Sequence, residues 1–195
     1  PESPFSMDEQ FEIVELVMEW LSDKKVVMHN GRFDVTWVWH HYGARFRCDF
    51  DTMLAHYILD ENSRHNLKTS RKAGPGLAQR FCAAPDWDVD TKTKKGGAGL
   101  VKLAEYQAYD LHYTRKLYFV FREMLRDDPH SKKVFDLILC PVADIFAEAS
   151  FDGIVVNEDK FDEAETYLRG EIEKAEAELS QFATINWRST KELGE

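Results

Sequence analysis

Apolar residues recur near the start of the chain at Met7, Phe11, Val14, Met18 and Leu21, alternately four and three positions apart. That spacing lines one face of a helix and predicts a helix over residues 7–21. Val26-Val27-Met28 is a short unbroken apolar run and predicts a buried strand. Asn30-Gly31 turns the chain, and a second helix is expected over residues 32–42, with Gly43 placed to stop it. A third, short helix over residues 52–59 follows Asp51, which is suited to cap it. Residues 60–100 lack a clear period, and Gly74-Pro75-Gly76 breaks any helix there. Gly96-Gly97-Ala98-Gly99, set among lysines, predicts a mobile basic loop. A long helix is expected over residues 100–126, with the inward stripe Leu103, Tyr106, Asp110, Tyr113, Leu117, Val120 and Met124, and Asp128-Pro129 ends it. Another helix is read over residues 131–150. A turn with a short extended piece follows over 151–156. The last helix, over 158–182, carries a coiled-coil-like seam at Phe161, Ala164, Leu168, Ile172, Ala175, Leu179 and Phe182.

Composition adds limits. The chain has 195 residues, 44% of them apolar and 13% aromatic, enough for a real core. The net charge of −10 argues against non-specific coating of nucleic acid. The charge is uneven, however. Nine basic residues between Arg64 and Lys102 face three acids, while twelve acids between Asp144 and Leu179 face three bases. A basic middle beside an acidic helical tail suggests two units with different jobs, divided near residues 128–131. There is no apolar run long enough to span a membrane and no signal-like N-terminus. Cys48, Cys82 and Cys140 lie far apart with no C-x-x-C, which argues against a zinc knuckle and a disulfide framework and makes a reducing cytosol the default. The chain does not begin with Met, so it is read as part of a longer one.

Two places carry candidate chemistry. Asp110 is a carboxylate in the middle of an apolar stripe. Burying an unpaired charge costs several kcal/mol, so a metal ion, a basic partner or a wet cleft is expected beside it. Tyr106 is one turn earlier on the same face and points to the same place. The plain alternative is a buried Asp paired with an Arg. The second place is His29-Asn30-Gly31-Arg32-Phe33-Asp34, after a strand and at the opening of a helix. Asn30 suits an N-cap and Asp34 suits the first turn. Residues at a strand's carboxyl end in an α/β fold also line the ligand crevice.

Asn30-x-x-Phe33-Asp34 and Tyr106-x-x-x-Asp110, in this order, resemble the second and third motifs of the 3′–5′ proofreading exonucleases of family A DNA polymerases. Phe50-Asp51-Thr52-Met53-Leu54-Ala55-His56-Tyr57-Ile58-Leu59-Asp60-Glu61 is similar to the stretch between those motifs, and Arg64-His65-Asn66-Leu67 continues the likeness over residues 1–126. Beyond it, Phe151-Asp152-Gly153-Ile154, the helix from Glu158 and Ile185-Asn186-Trp187-Arg188-Ser189 resemble the segments that lead into a polymerase thumb. A ribonuclease D-type enzyme would explain the first part only.

The resemblance implies an α/β, ribonuclease H-like exonuclease fold without its first strands (residues 1–128), followed by an all-α start of the polymerase domain (129–195). It implies a phage-like or bacterial polymerase acting in the cytoplasm, the host's if phage-encoded. It also implies hydrolysis of the 3′-terminal phosphodiester of DNA with two Mg²⁺ or Mn²⁺ ions. Asp34 and Asp110 would be two of four carboxylate ligands. Tyr106 would orient the attacking water, Asn30 and Phe33 would contact the unpaired 3′ end, and Arg64 a phosphate. Lys92, Lys94 and Lys95 either steer the strand or form a solvated loop. The partners implied are a single-stranded DNA 3′ end and the rest of the polymerase chain, and no membrane. The family's first motif, a strand with Asp-x-Glu, has no match in this chain; Asp8-Glu9 has the wrong spacing and opens a helix. The polymerase aspartates and fingers residues have none either. The chain alone is therefore expected to cleave poorly and to incorporate no nucleotide. The alternatives are a catalytically silent scaffold with the same fold and an unrelated helical interaction protein using the acidic seam.

Overall fold

The computed structural model describes residues 4–70, 74–87, 99–182, 186, 189 and 190. Helix α1 (Met7–Leu21) begins with a capping box. Ser6 Oγ accepts from the Glu9 amide at 3.3 Å, and Glu9 Oε2 accepts from the Ser6 amide at 2.8 Å. None of its residues is buried, and Leu16 and Trp20 are largely exposed. Strand β1 (Val27–Met28), helix α2 (Gly31–Tyr42) and strand β2 (Phe50–Asp51) form one crossover unit. The two strands pair in parallel, Val27 with Phe50 and Met28 with Asp51. Parallel neighbours need such a crossover, and α2 supplies it. Gly43 stops α2 in the left-handed region at φ 67°, which a residue with a Cβ adopts at a cost.

Helix α3 (Thr52–Leu59) follows at once, and Asp51 caps it as the sequence suggests, accepting from the Met53 and Leu54 amides. Helix α4 (Leu77–Cys82) was not expected. Its cap, Gly76, has no side chain to offer. The Asn66 and Leu67 carbonyls instead take the Leu77 and Ala78 amides at 2.8 and 2.9 Å. This approach leaves no room at Gly76, where a Cβ would lie 2.4 Å from the Lys68 carbonyl carbon and 2.5 Å from its Cα.

Helix α5 (Leu100–Asp127) runs through the core. Its buried residues are Tyr113, Thr114, Leu117, Phe121 and Leu125. The expected stripe is therefore corrected at both ends, since Leu103 and Met124 are exposed. The reason is which helices pack on it. The buried line runs instead through Tyr113, Leu117, Phe121 and Leu125 at steps of four, on the helix that α3 and α4 pack against, with Val120 partly buried beside it.

The expected single helix after Pro129 is three pieces. Helix α6 (Pro129–Val134) is capped by Asp128, whose side chain accepts from the Ser131 amide at 3.1 Å. A turn of π-helix (Phe135–Leu139) and helix α7 (Cys140–Asp152) follow. Phe135 is buried with Ala55, Leu77, Leu117, Phe121, Leu125 and Cys140. α7 packs against α2, with Trp39 stacked on Phe151 at 4.0 Å and Arg45 paired with Glu148 at 3.4 Å.

Contacts divide the chain into two compact units, residues 1–152 and 153–195. The second holds helix α8 (Glu158–Leu179), capped by Asn157 and without buried residues. Its seam residues Phe161, Leu168 and Ile172 are exposed. Residues 153–156, expected to be partly extended, form no strand.

Candidate active site

The turn between β1 and α2 is built on Asp51. The Asn30 amide donates to Oδ1 at 3.0 Å and the Gly31 amide to Oδ2 at 2.8 Å, while the amides of Met53 and Leu54 share Oδ1. One carboxylate, 4% exposed, thus ties the end of one strand to the start of two helices. Asn30 stands at the N-cap position of α2, but its side chain makes no capping bond. The sequence reading of Asn30 as a capping side chain is corrected here. Asn30 adopts φ 61°, ψ 46°, and a side-chain cap needs an extended backbone to reach back to the first turn. Gly31 is required by a second close approach: a Cβ there would lie 2.8 Å from Cys48 Sγ and 2.9 Å from Met28 Sδ.

Beyond this turn, Phe33 is 63% exposed. Asp34 lies in the first turn of α2. Partial loss of solvent, and then the Asp51 charge, push its carboxyl above the usual range. His29, at the strand's end, lies 2.9 Å from Thr52 Oγ1. Burial holds it below its ordinary value, against the opposing fields of Asp51 and Asp110. The strand end and α5 therefore share one electrostatic environment, and α5 packs directly against β1.

Tyr106 and Asp110 come together as their spacing suggests. What holds Asp110 is neither an Arg nor an apolar wall. The Trp87 indole N–H donates to Oδ1 at 2.8 Å, and Lys68 Nζ lies 3.5 Å from both carboxylate oxygens. The same ammonium sits 3.6 Å from the centre of the Tyr106 ring, a cation–π contact. Lys68 and Trp87 are the residues that reading the sequence missed. Trp87 also stacks on Tyr113 at 5.0 Å.

Asp34 takes no part in the Lys68 cluster. Arg64 is exposed, and its carbonyl accepts from Arg80 at 3.5 Å. Lys92, Lys94 and Lys95 lie outside the described residues. Among the described residues, no three His, Cys, Asp or Glu side chains are grouped so as to hold a metal ion. Two carboxylates, one already facing an ammonium, fall short of the oxygen set that a pair of Mg²⁺ ions takes.

The comparisons with known proteins agree on the class. A family model described as 3′–5′ exonuclease matches residues 3–126. A DNA polymerase of Escherichia phage T5 is 24% identical over 183 residues, which cover 82% of this chain and 21% of that protein. The chain thus spans about a fifth of the length of the curated relative it matches.

Proposed function

The chain belongs to the 3′–5′ exonuclease family, as a domain of a DNA polymerase, and from that premise we propose that it is the proofreading part of a family A enzyme. In this reading it removes the 3′-terminal nucleotide of DNA by hydrolysis. The observation that carries the reading is the convergence of Tyr106 and Asp110 on one half-buried edge of α5, beside the strand whose carboxyl end bears Asn30 and Asp34. Tyr106 would hold the attacking water. Phe33, largely exposed, offers a face on which an unpaired terminal base stacks. Asn30 would contact that end and Arg64 a backbone phosphate.

Asp34 and Asp110 are the metal-ligand candidates, for Mg²⁺ or Mn²⁺. The reading requires further carboxylates beyond these two, so the isolated chain is expected to cleave poorly. Its partners are a single-stranded DNA 3′ end and the rest of a polymerase chain, in the cytoplasm of a host cell if the gene is a phage's. Among the described residues no helix is long and apolar enough to cross a membrane.

The test is Mg²⁺-dependent release of 3′-terminal nucleotides from single-stranded DNA, by this chain and by the longer polymerase that contains it. Activity in the longer protein, lost in Asp34→Ala and in Asp110→Ala, is the expected result. Activity untouched by both changes defeats the site assignment, and robust cleavage by the isolated chain defeats its expected weakness. A second reading, a scaffold with a silent site, is favoured by one observation: the Lys68 ammonium already answers the Asp110 charge. Complete inactivity of the longer protein with either metal would select it.

A further inference from the structure

We propose that Tyr109, backed by Trp87 and Tyr113, is a stacking platform for one base of a DNA single strand, on α5 beside Asp110 and additional to Phe33 on α2. The choice of DNA as the ligand rests on the exonuclease reading given above.

The three rings lie nearly parallel. Trp87 is 5.0 Å from Tyr113 and 5.8 Å from Tyr109, with 17° between the planes in both pairs, and the two tyrosines are 6.3 Å apart at 12°. Rings on opposite faces of one indole are at least about 7 Å apart, so the tyrosines share one side of it. They are neighbours one turn apart on α5. Their burial differs. Trp87 and Tyr113 are 7% and 8% exposed, whereas Tyr109 is 42% exposed. A ring that only filled the core would be covered like the other two. Tyr109 instead carries the buried stack to the surface, where a flat nucleobase can extend it.

The stack is held before any ligand arrives. The Trp87 indole N–H is bonded to Asp110 Oδ1 at 2.8 Å, and its ring is packed with Ala78 and Tyr113 in a buried cluster. A base that lands on Tyr109 therefore meets a ring already in place, and little side-chain freedom is lost on binding. One indole meets the Asp110 carboxylate with its edge and the tyrosines with its face, so the platform adjoins the candidate active site. Lys116 is exposed, lies 5.1 Å from the centre of the Tyr113 ring and forms no ion pair among the described residues. Glu105 is the exposed acid one turn from Tyr109 toward the helix N-terminus, on the side away from Lys116. An ammonium beside a stacking ring suits a single strand, the cation for a phosphate and the π-face for a base of any sequence.

The test is binding of a fluorescein-labelled single-stranded oligodeoxynucleotide to the chain, read by anisotropy with EDTA present so that nothing is cleaved. Tyr109→Leu keeps an apolar contact with Trp87 and loses the flat face. It should weaken binding about tenfold, and Tyr109→Phe should bind as the wild type does. Oligonucleotides with one abasic position each locate the stacked base. At one position the abasic change should weaken wild-type binding about tenfold and leave Tyr109→Leu unaffected. Unchanged affinity in Tyr109→Leu overturns the proposal. So does a loss in Tyr109→Leu to which every abasic position adds its full wild-type effect, because the ring then acts through the fold and not on a base. The cleavage assay separates this proposal from the reading beneath it. If Tyr109→Leu binds as wild type while Asp34→Ala and Asp110→Ala abolish cleavage by the longer polymerase, only the platform fails. If the chain binds no single strand, the platform and the choice of DNA as its ligand fail together.

Discussion

Asp51 and Asp110 are both carboxylates drawn out of bulk water, and the chain satisfies them by different means. Asp51 is held by backbone amides from the β1–α2 turn and from α3. Asp110 is held by the tips of two side chains, Trp87 and Lys68. Amides cannot turn away without unfolding the turn or the helix that owns them. An indole and an ammonium can. A carboxylate ringed by main chain is committed to the fold, and one ringed by side chains stays available for exchange. The two share a region of the molecule through His29, which feels both charges.

The comparison is broken most severely at Asp51. Asp51→Ala removes a helix cap and leaves the Asn30 and Gly31 amides without their acceptor. The loss should be about 3–5 kcal/mol, read as a fall in the urea midpoint. A loss below ~1 kcal/mol would mean that water reaches these amides and that the carboxylate is not committed as argued. Next comes Gly76→Ala, which drives a methyl into the Lys68 backbone and should cost about 1–3 kcal/mol. The NMR signal of the Trp87 indole N–H should also shift, because Lys68 is moved off Asp110.

Acid loads the helix that Asp51 caps. His56, on α3, is 1% exposed, with Nδ1 2.7 Å from the Nδ1 of His65 and Nε2 without a hydrogen-bond partner. Burial, then the charges of His65 and Arg80, lower its pKa from 6.5 to about 4. The folded form therefore binds fewer protons than the unfolded chain between those values. Stability present above pH 6.5 is lost as the pH falls toward 4. The urea midpoint should decline across that window, and His56→Phe, which keeps the ring contacts with Phe81 and Phe121, should flatten the decline. An equal slope in the variant would assign the effect to other groups. The smallest effect is expected at the exchangeable carboxylate. Lys68→Met should change stability by no more than about 1 kcal/mol, because the partly exposed Asp110 is rehydrated when its partner leaves. A larger loss would make this pair as structural as the other.

The helices were legible because their signals are local. The spacing of Met7 to Leu21, the stop at Gly43 and the cap at Asp51 all act within a few residues, and each helix appears where they place it. What escaped was held together over distance. β2 is two residues long and has no alternation to read. α4 lacks a capping side chain because its acceptors lie about ten residues earlier, at Asn66 and Leu67. The same holds at the candidate site. Tyr106 and Asp110 are one turn apart, and that spacing alone pairs them. Lys68 is 42 residues from Asp110 and Trp87 is 23 away, and neither position carries a pattern that points to a carboxylate. Asn30 shows the converse. Its residue type announced a cap, but the backbone conformation that places it beside Asp51 takes the side chain out of that role.

The pieces after Pro129 bear on how polymerases exchange parts. The matched exonuclease stretch stops at residue 126, yet Phe135 lies against Phe50 and Phe151 stacks on Trp39. A recombination joint at the end of that stretch would pair each of these aromatic rings with a stranger's surface. A joint at Gly153, where the backbone turns at φ 71° and the next two side chains are almost fully exposed, would sever neither contact. The segment that can be inherited or transplanted whole is thus longer than the stretch the family model matches. Grafts of this exonuclease domain into another polymerase should be cut after Asp152.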